Sequence, residues 1–335
     1  MKNSWKSLII LVISVMVIVT LILIINSKDP QQLSYGLHTL LTNPVYPILF
    51  LLIFIIVFFL RGLRWNILLL KNIDYKLYFT KLLLIAWFLN AITPARLGDL
   101  SRIYYPRRDK IATGGQAFSV VLVDRVIDLF TLISFALIWI ALLGFRLFSS
   151  GFYWLLPLVL ALIITFAIGC IILIKYPQVL SKIIIRIFKG QSKLSGRLNK
   201  FLENFENGIK FIYKNPVRIF YALALSLFIW VLESTSVYLI ALALNFELDP
   251  IICFASATAG FLGAALPFLP GGVGSYEVGI ASSLVILGFG SLQEAVLIAF
   301  MDHLIRQLFV IFTGGFLFIF NDRELRYLKT GKLKS

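Results

Sequence analysis

The sequence predicts an all-α, polytopic helical membrane protein with two broken or re-entrant helix regions. Three observations carry that prediction. First, 60% of the 335 residues are hydrophobic and only 14% are charged, with a mean hydropathy of +0.94. A soluble domain cannot cover so much apolar side chain. Second, the apolar residues fall in runs suited to a hydrocarbon core about 30 Å thick, and Lys and Arg collect between the runs. The net charge of +15 is therefore the positive-inside signature beside anionic lipid and not a nucleic-acid footprint. Third, two apolar stretches are interrupted by Pro and Gly. Cys170 and Cys253 lie in apolar runs and read as small hydrophobes. With only His38 and His303, a His-rich metal site is not expected, and no cofactor is.

Taken in order, Ser7–Ile25 is nearly all apolar behind Lys2 and Lys6. No small-residue cleavage site follows, so it reads as a retained first span with a cytoplasmic N-terminus. Pro47–Leu60 is the second run. Arg61 and Arg64 close it on one helix face, with Trp65 beside them. They read as anchors that snorkel to the cytoplasmic interface, with headgroup contact as the alternative. Leu82–Ile92 is too short to cross the bilayer. The linker behind it carries Arg96, Arg102, Arg107, Arg108 and Lys110, which places it in the cytoplasm. Leu82–Ile92 then enters and leaves on one side as a re-entrant half-helix. The other reading, a tilted full span with a basic outer loop, runs against the charge rule.

Ile111–Leu143 is too long for one ordinary span. Asp124 and Asp128 are four apart and share a face, where they repel unless a cation sits between them. Arg125 faces about 100° away. Phe152–Ile174 is a clean span. Lys175–Arg218 holds ten Lys or Arg against Glu203 and Glu206, and is cytoplasmic. Within it Leu194, Leu198, Phe201, Phe205, Ile209 and Ile212 follow the helical period, so a basic amphipathic helix is expected on the membrane face. Ile219–Leu242 is a span interrupted by Glu233, which is either neutral and hydrogen-bonded or paired with a base. Asn245–Pro250 carries only acids and is placed outside. The last apolar segment, Ala295–Phe320, carries Asp302, His303 and Arg306. Residues 1–320 form a single membrane domain, and 321–335 a basic cytoplasmic tail.

Leu262–Glu277 is the sharpest interruption. Pro267 and Pro270 break a helix, Gly271, Gly272 and Gly274 loosen it, and Glu277 brings a carboxylate to the edge of the apolar run. In hydrocarbon such backbone survives only inside protein or beside water. It is either a binding site or a plain loop between spans. The two breaks echo each other. Gly98 is followed 26 residues later by Asp124-Arg-Val-Ile-Asp128, and Gly274 is followed 28 residues later by Asp302-His-Leu-Ile-Arg306. Three crossings between them, an odd number, make units 44–145 and 216–320, joined through 175–215, an inverted repeat. Chance likeness of short motifs is the other reading.

These pieces carry a resemblance. Arg61-Gly-Leu-Arg64-Trp65, Asn90–Asp99 with Arg102, Asp124-Arg125-Val-Ile-Asp128, and Pro270-Gly-Gly-Val-Gly274 with Glu277 resemble, in order and spacing, the flippase-like family named for the transmembrane region of lysylphosphatidylglycerol synthase. The likeness runs from about Ser7 to Phe320. Where the family's motif usually has Glu after its first Gly, this chain has Asp99, which keeps the charge and shortens the reach. The resemblance implies a multispan protein that moves, or helps move, lipids with polar heads between leaflets of the cytoplasmic membrane. The soluble synthase domain is not expected, since fifteen residues follow Phe320.

The residues lead to three functions. The first is a flippase for a phosphate-bearing polar or polyprenyl-linked lipid. Arg96 and Arg102 would recruit the head at the inner face and Arg125 and Arg306 would hold it deeper, because a guanidinium grips phosphate oxygens in pairs. Asp99, Glu277 and the backbone of Gly271, Gly272 and Gly274 would complete the site. Asp124, Asp128, Glu233 and Asp302 would couple ions or protons, or simply pair with Arg on neighbouring helices. No glycine-lysine ATP loop is present in the sequence. The second function is a non-catalytic partner of an envelope-lipid synthase or glycosyltransferase, docked through Lys175–Arg218. The third is a lipid-modifying enzyme using Asp302-His303. No nucleophile with an activating partner supports it, and a transporter is favoured.

Overall fold

The computed structural model describes residues 31–69, 76–149, 151, 155–176, 178–179, 195–265 and 270–330. The expected first span, Pro267 and part of the basic linker lie outside the described residues. The order is α1 (Gln32–Thr42), α2 (Val45–Leu69), α3 (Lys76–Ile92), a 3₁₀ turn (Pro94–Leu100), α4 (Ser101–Arg108), α5 (Gly114–Ser149) and α6 (Leu155–Lys175). It continues with α7 (Ser195–Tyr213), α8 (Pro216–Ala243), α9 (Pro250–Ala265), a second 3₁₀ turn (Pro270–Gly272), α10 (Ser275–Ile286) and α11 (Leu292–Thr330).

Among the described residues, four stretches are long and apolar enough to cross a membrane: Val45–Leu69, Gly114–Gly144, Pro216–Ala243 and Leu292–Phe320. Their polarity is turned inside out. Leu52, Ile55 and Ile56 of α2, Phe220, Leu227 and Phe228 of α8, and Phe312, Phe316 and Ile319 of α11 are exposed, whereas Arg64, Glu233 and Asp302 are buried. Water would reverse that arrangement; lipid tails favour it. The chain is a multi-pass membrane protein.

Between the long helices lie α3, α9 and α10, with 17, 16 and 12 residues. At 1.5 Å per residue they reach about 26, 24 and 18 Å, short of a core about 30 Å thick. The sequence of short helix, 3₁₀ turn, short helix and long helix occurs twice, as α3–α5 and as α9–α11.

Each turn has a local cause. Pro94 holds Thr93 extended, at φ −120° and ψ 144°, which ends α3. The turn then folds back on α3 so closely that a Cβ at Gly98 would strike the Ala86 carbonyl. In the second turn Gly271 and Gly272 take φ values of 62° and 77°, open to glycine at no steric cost. The two turns pack against each other, and Arg96 of the first donates a hydrogen bond to the Ala264 carbonyl at the end of α9.

The overlong segment that begins near Ile111 is one helix, α5, of 36 residues. Its first turns pack against α7. Phe118 meets Phe201 and Phe205, while Leu202, Phe205, Ile209 and Ile212 are buried. The apolar face of α7, expected on the membrane surface, is thus spent on α5. Gly115 and Gly208 let the backbones meet there. A Cβ on Gly115 would strike the Phe201 carbonyl and lie 2.6 Å from the Phe205 nitrogen, both rigid backbone.

Gly115→Ala should therefore push α7 off α5 and lower stability by about 1–3 kcal/mol, read by thermal unfolding in detergent. Gly169→Ala on α6, where a Cβ meets nothing within 4 Å, is the control and should not destabilise.

Candidate functional site

Ten charges from α2, the first 3₁₀ turn, α4, α5, α8 and α11 form one alternating chain. It starts with Asp302, whose Oδ2 is 2.8 Å from Arg306 Nε. Arg306 pairs with Glu233, and Glu233 with Arg61 at 3.0 Å. Arg61 lies 3.6 Å from Asp128. Arg64 stands between the two carboxylates of α5, 2.7 Å from Asp128 and 2.8 Å from Asp124. Asp124 accepts from Arg102 at 2.6 Å; Arg102 lies 4.0 Å from Asp99, which Arg125 Nη2 grips through both oxygens at 2.9 and 2.7 Å. Every cation touches a carboxylate, so the low-dielectric interior strengthens each pair without leaving a net charge.

Aromatic faces cover the guanidinium groups. Arg61 lies between Trp87 and Trp230, at 5.3 and 4.9 Å from the ring centroids. Arg102 sits 4.7 Å over Trp65, and Arg306 lies near Phe50, Phe54 and Phe261. A weakly hydrated, planar cation suits such surroundings better than an ammonium. Trp230 also donates its indole N–H to Asp128 at 3.0 Å.

Both ends of this chain and its middle border a cavity of about 200 Å³ where the two helix breaks meet. Arg61, Arg96, Arg125 and Arg306 line it. So do Trp87, Trp230, Phe261, Tyr276 and the backbone of Gly271 and Gly272, with Leu129, Leu132 and Val310 as an apolar flank. Arg96 differs from the other three. Among the described residues it has no carboxylate partner, and its hydrogen bond goes to the Ala264 carbonyl. Its backbone takes φ 53°, a left-handed value uncommon for a side chain of this size.

His303 closes the far wall. Its Nδ1 lies 2.7 Å from Glu277 Oε1, and its Nε2 lies 2.8 Å from Gln307 Nε2 and 3.2 Å from the Gly271 carbonyl. The other oxygen of Glu277 accepts the Gly274 N–H at 2.7 Å, at the start of α10. Tyr276 donates to Asp302 at 2.6 Å. Among the described residues no group of three His, Cys, Asp or Glu is placed to hold a metal.

The structure brings Arg96, Arg125, Gly271, Gly272 and Arg306 to one cavity, with Asp128 on its wall. Asp99 stands behind Arg125 and Glu277 behind His303. Arg102 is not there: it is buried on Trp65 and spent on Asp124. Nor is the Gly274 amide open to an anion, because Glu277 holds it. Asp124, Asp128, Glu233 and Asp302 are each paired with Arg. Arg306 spends three nitrogens on Asp302, Glu233 and Ser236.

Arg61 and Arg64 correct the sequence reading most. They do not snorkel to the interface; they are buried, and they join α2 to α5 and α8. The signal was present: two Arg three apart closing one span, and two Asp four apart within another, are complementary faces. Tyr276, Trp87, Trp230 and Gln307 gave no sequence signal, because aromatic and amide residues abound in any bundle.

The fold and site define a polytopic helical membrane protein with an arginine-lined internal cavity. The chain belongs to the family described as the lysylphosphatidylglycerol synthase TM region, whose model matches residues 7–314. It is 27% identical over 338 residues to a UPF0104 membrane protein of Methanocaldococcus jannaschii, covering 96% of both chains. A UPF0104 membrane protein of Methanothermobacter thermautotrophicus is 26% identical over 288 residues, 81% of this chain and 83% of that one. The glycosyltransferase AglD of Haloferax volcanii is 23% identical over 295 residues, 78% of this chain and 46% of AglD. No solved structure matches.

Because Arg64 holds two buried carboxylates, Arg64→Met should destabilise by about 3–5 kcal/mol, measured by denaturant titration in mixed micelles. Adding Asp128→Asn removes one stranded charge and should recover part of that loss.

Proposed function

We propose that the protein moves a lipid with a phosphate-bearing polar or polyprenyl-linked head across the cytoplasmic membrane, with Arg96 as the principal anion contact. The observation that carries this reading is a guanidinium that, among the described residues, has no carboxylate partner, in a cavity otherwise lined by paired charges, neutral polar groups and apolar side chains. A planar cation offers two aligned donors to phosphate oxygens. Both Arg125 bonds to Asp99 run from Nη2, and Arg125 lines the same space. Gly271 and Gly272 keep the wall low there. The apolar flank of Leu129, Leu132 and Val310 suits the start of an acyl or polyprenyl chain. In this reading the termini and the linkers 96–110 and 175–218 are cytoplasmic, the two helix breaks belong to inverted repeat units, and the protein is a transporter and not an enzyme.

A second reading rests on the match to the glycosyltransferase AglD over 46% of its length. Here the domain presents an anionic or polyprenyl-phosphate lipid to a membrane-associated synthase without moving it. Reconstitution into liposomes separates the two readings. Liposomes containing the protein should translocate a fluorescently labelled anionic phospholipid, and a liposome panel without translocation of any anionic or polyprenyl-phosphate lipid would leave the second reading.

Arg96→Ala should slow translocation about ten- to a hundredfold, the worth of one charge-assisted hydrogen bond. It should lower the melting temperature only slightly, since what is lost is one hydrogen bond to the Ala264 carbonyl and no direct carboxylate pair. Wild-type rates in Arg96→Ala at matched protein density would reject the anion role.

A further inference from the structure

The charge of the cavity is decided by three residues outside the ion chain. The chain itself is neutral, five guanidinium groups against five carboxylates. Beyond it stand Arg96, Glu277 and His303. Arg96 and Glu277 cancel, so the site is neutral when His303 is neutral and carries +1 when His303 is protonated. A singly charged phosphodiester entering a neutral, largely apolar pocket leaves an unbalanced negative charge, and burying a net charge is costly. Taking one proton onto His303 removes that charge.

The geometry provides for both states. In the neutral ring Nδ1–H donates to Glu277 Oε1, and Nε2 accepts from the Gln307 amide at 2.8 Å. In the protonated ring Nε2–H points at the Gly271 carbonyl, 3.2 Å away on the second helix break. The Gln307 amide then turns to offer its oxygen. The charged and titratable groups around the ring are otherwise committed. On α10, Tyr276 donates to Asp302; on α11, Asp302 and Arg306 pair with each other; on α8, Glu233 is held by Arg306 and Arg61. From the first 3₁₀ turn Arg96 faces the cavity, and α9 contributes Phe261, Ala264 and Ala265, which carry no charge. Histidine is also the side chain that changes charge in the physiological range.

We infer that the cavity takes up one proton, at His303 Nε2, for each singly charged phosphodiester lipid head that it binds. This rests on the phosphate-lipid reading of the same cavity and fixes its substrate as a monoanion bound together with a proton. The proton comes from the buffer acid, whose bond to hydrogen breaks as the Nε2–H bond forms, and the bonds of the lipid do not change.

The test is calorimetric binding of dihexanoylphosphatidylglycerol to the purified full chain in a nonionic detergent, in buffers of different ionisation heat. The expected result is uptake of about one proton per lipid near pH 8 and less near pH 5, as linkage requires of a site that can take up its proton before the lipid arrives. His303→Gln should show no uptake at either pH. Glu277→Gln, which removes the balancing negative charge, should bind near pH 8 without uptake. The deacylated head, glycerophosphoglycerol, should bind at least tenfold more weakly than the lipid; equal binding would make the ligand a soluble phosphodiester and overturn the lipid assignment. Wild-type binding near pH 8 without uptake overturns the inference and leaves the phosphate-lipid reading standing. Unchanged uptake in His303→Gln also overturns it. No binding by the wild type overturns both. Should His303→Gln fail to purify as a single species, the pH dependence of wild-type uptake decides alone.

Discussion

Arg64 between Asp124 and Asp128 is the interaction on which the rest of the structure depends. Two carboxylates one helical turn apart cannot stay ionised in a hydrocarbon setting by themselves. The cation that holds them comes from α2, so α2 must lie against α5. Arg61, on the same face of α2, reaches Glu233 and brings in α8; Arg306 reaches the same carboxylate and brings in α11. Hydrophobic burial does not sort helices in a bilayer, since lipid tails are as apolar as Leu. A chain of complementary charges does, because any wrong pairing strands an ion. Stability is not the whole account of such a network, as well-packed apolar residues often serve as well. Fixing which helices meet, and with what register, is the role that its continuity supports.

Once the long helices are fixed, the short ones have room to break. The helices α3, α9 and α10 end inside the bundle, where turns of Pro and Gly would be intolerable against lipid. Their ends come together, and the space that they leave is the cavity. Its wall combines paired guanidinium groups, aromatic faces and Arg96, which has no carboxylate partner among the described residues.

Much of this was legible in the sequence. Composition and basic linkers gave the multi-pass class, and Pro94 and Pro270 marked both interruptions. The i,i+4 pair of Asp302 and Arg306 was readable from spacing, and it forms. The demand of Asp124 and Asp128 for an intervening cation was also readable, but not which helix supplies it. That choice depends on the crossing of α2 with α5, which no local pattern encodes. Arg102 looked equivalent to Arg96, six residues away. They differ because Arg96 sits in a left-handed turn aimed at the cavity, while Arg102 lies on α4 beneath Trp65. The apolar face of α7 was visible as periodicity, but periodicity cannot say whether a bilayer or α5 covers it.

The most direct measurement is a structure of the protein in nanodiscs made with an anionic phospholipid. The account predicts phosphate density between the two helix breaks, within hydrogen-bond distance of the Arg96 guanidinium, with the acyl chains running past Leu132 and Val310. An empty or water-filled cavity, with phosphate confined to the outer surface of the bundle, would contradict it.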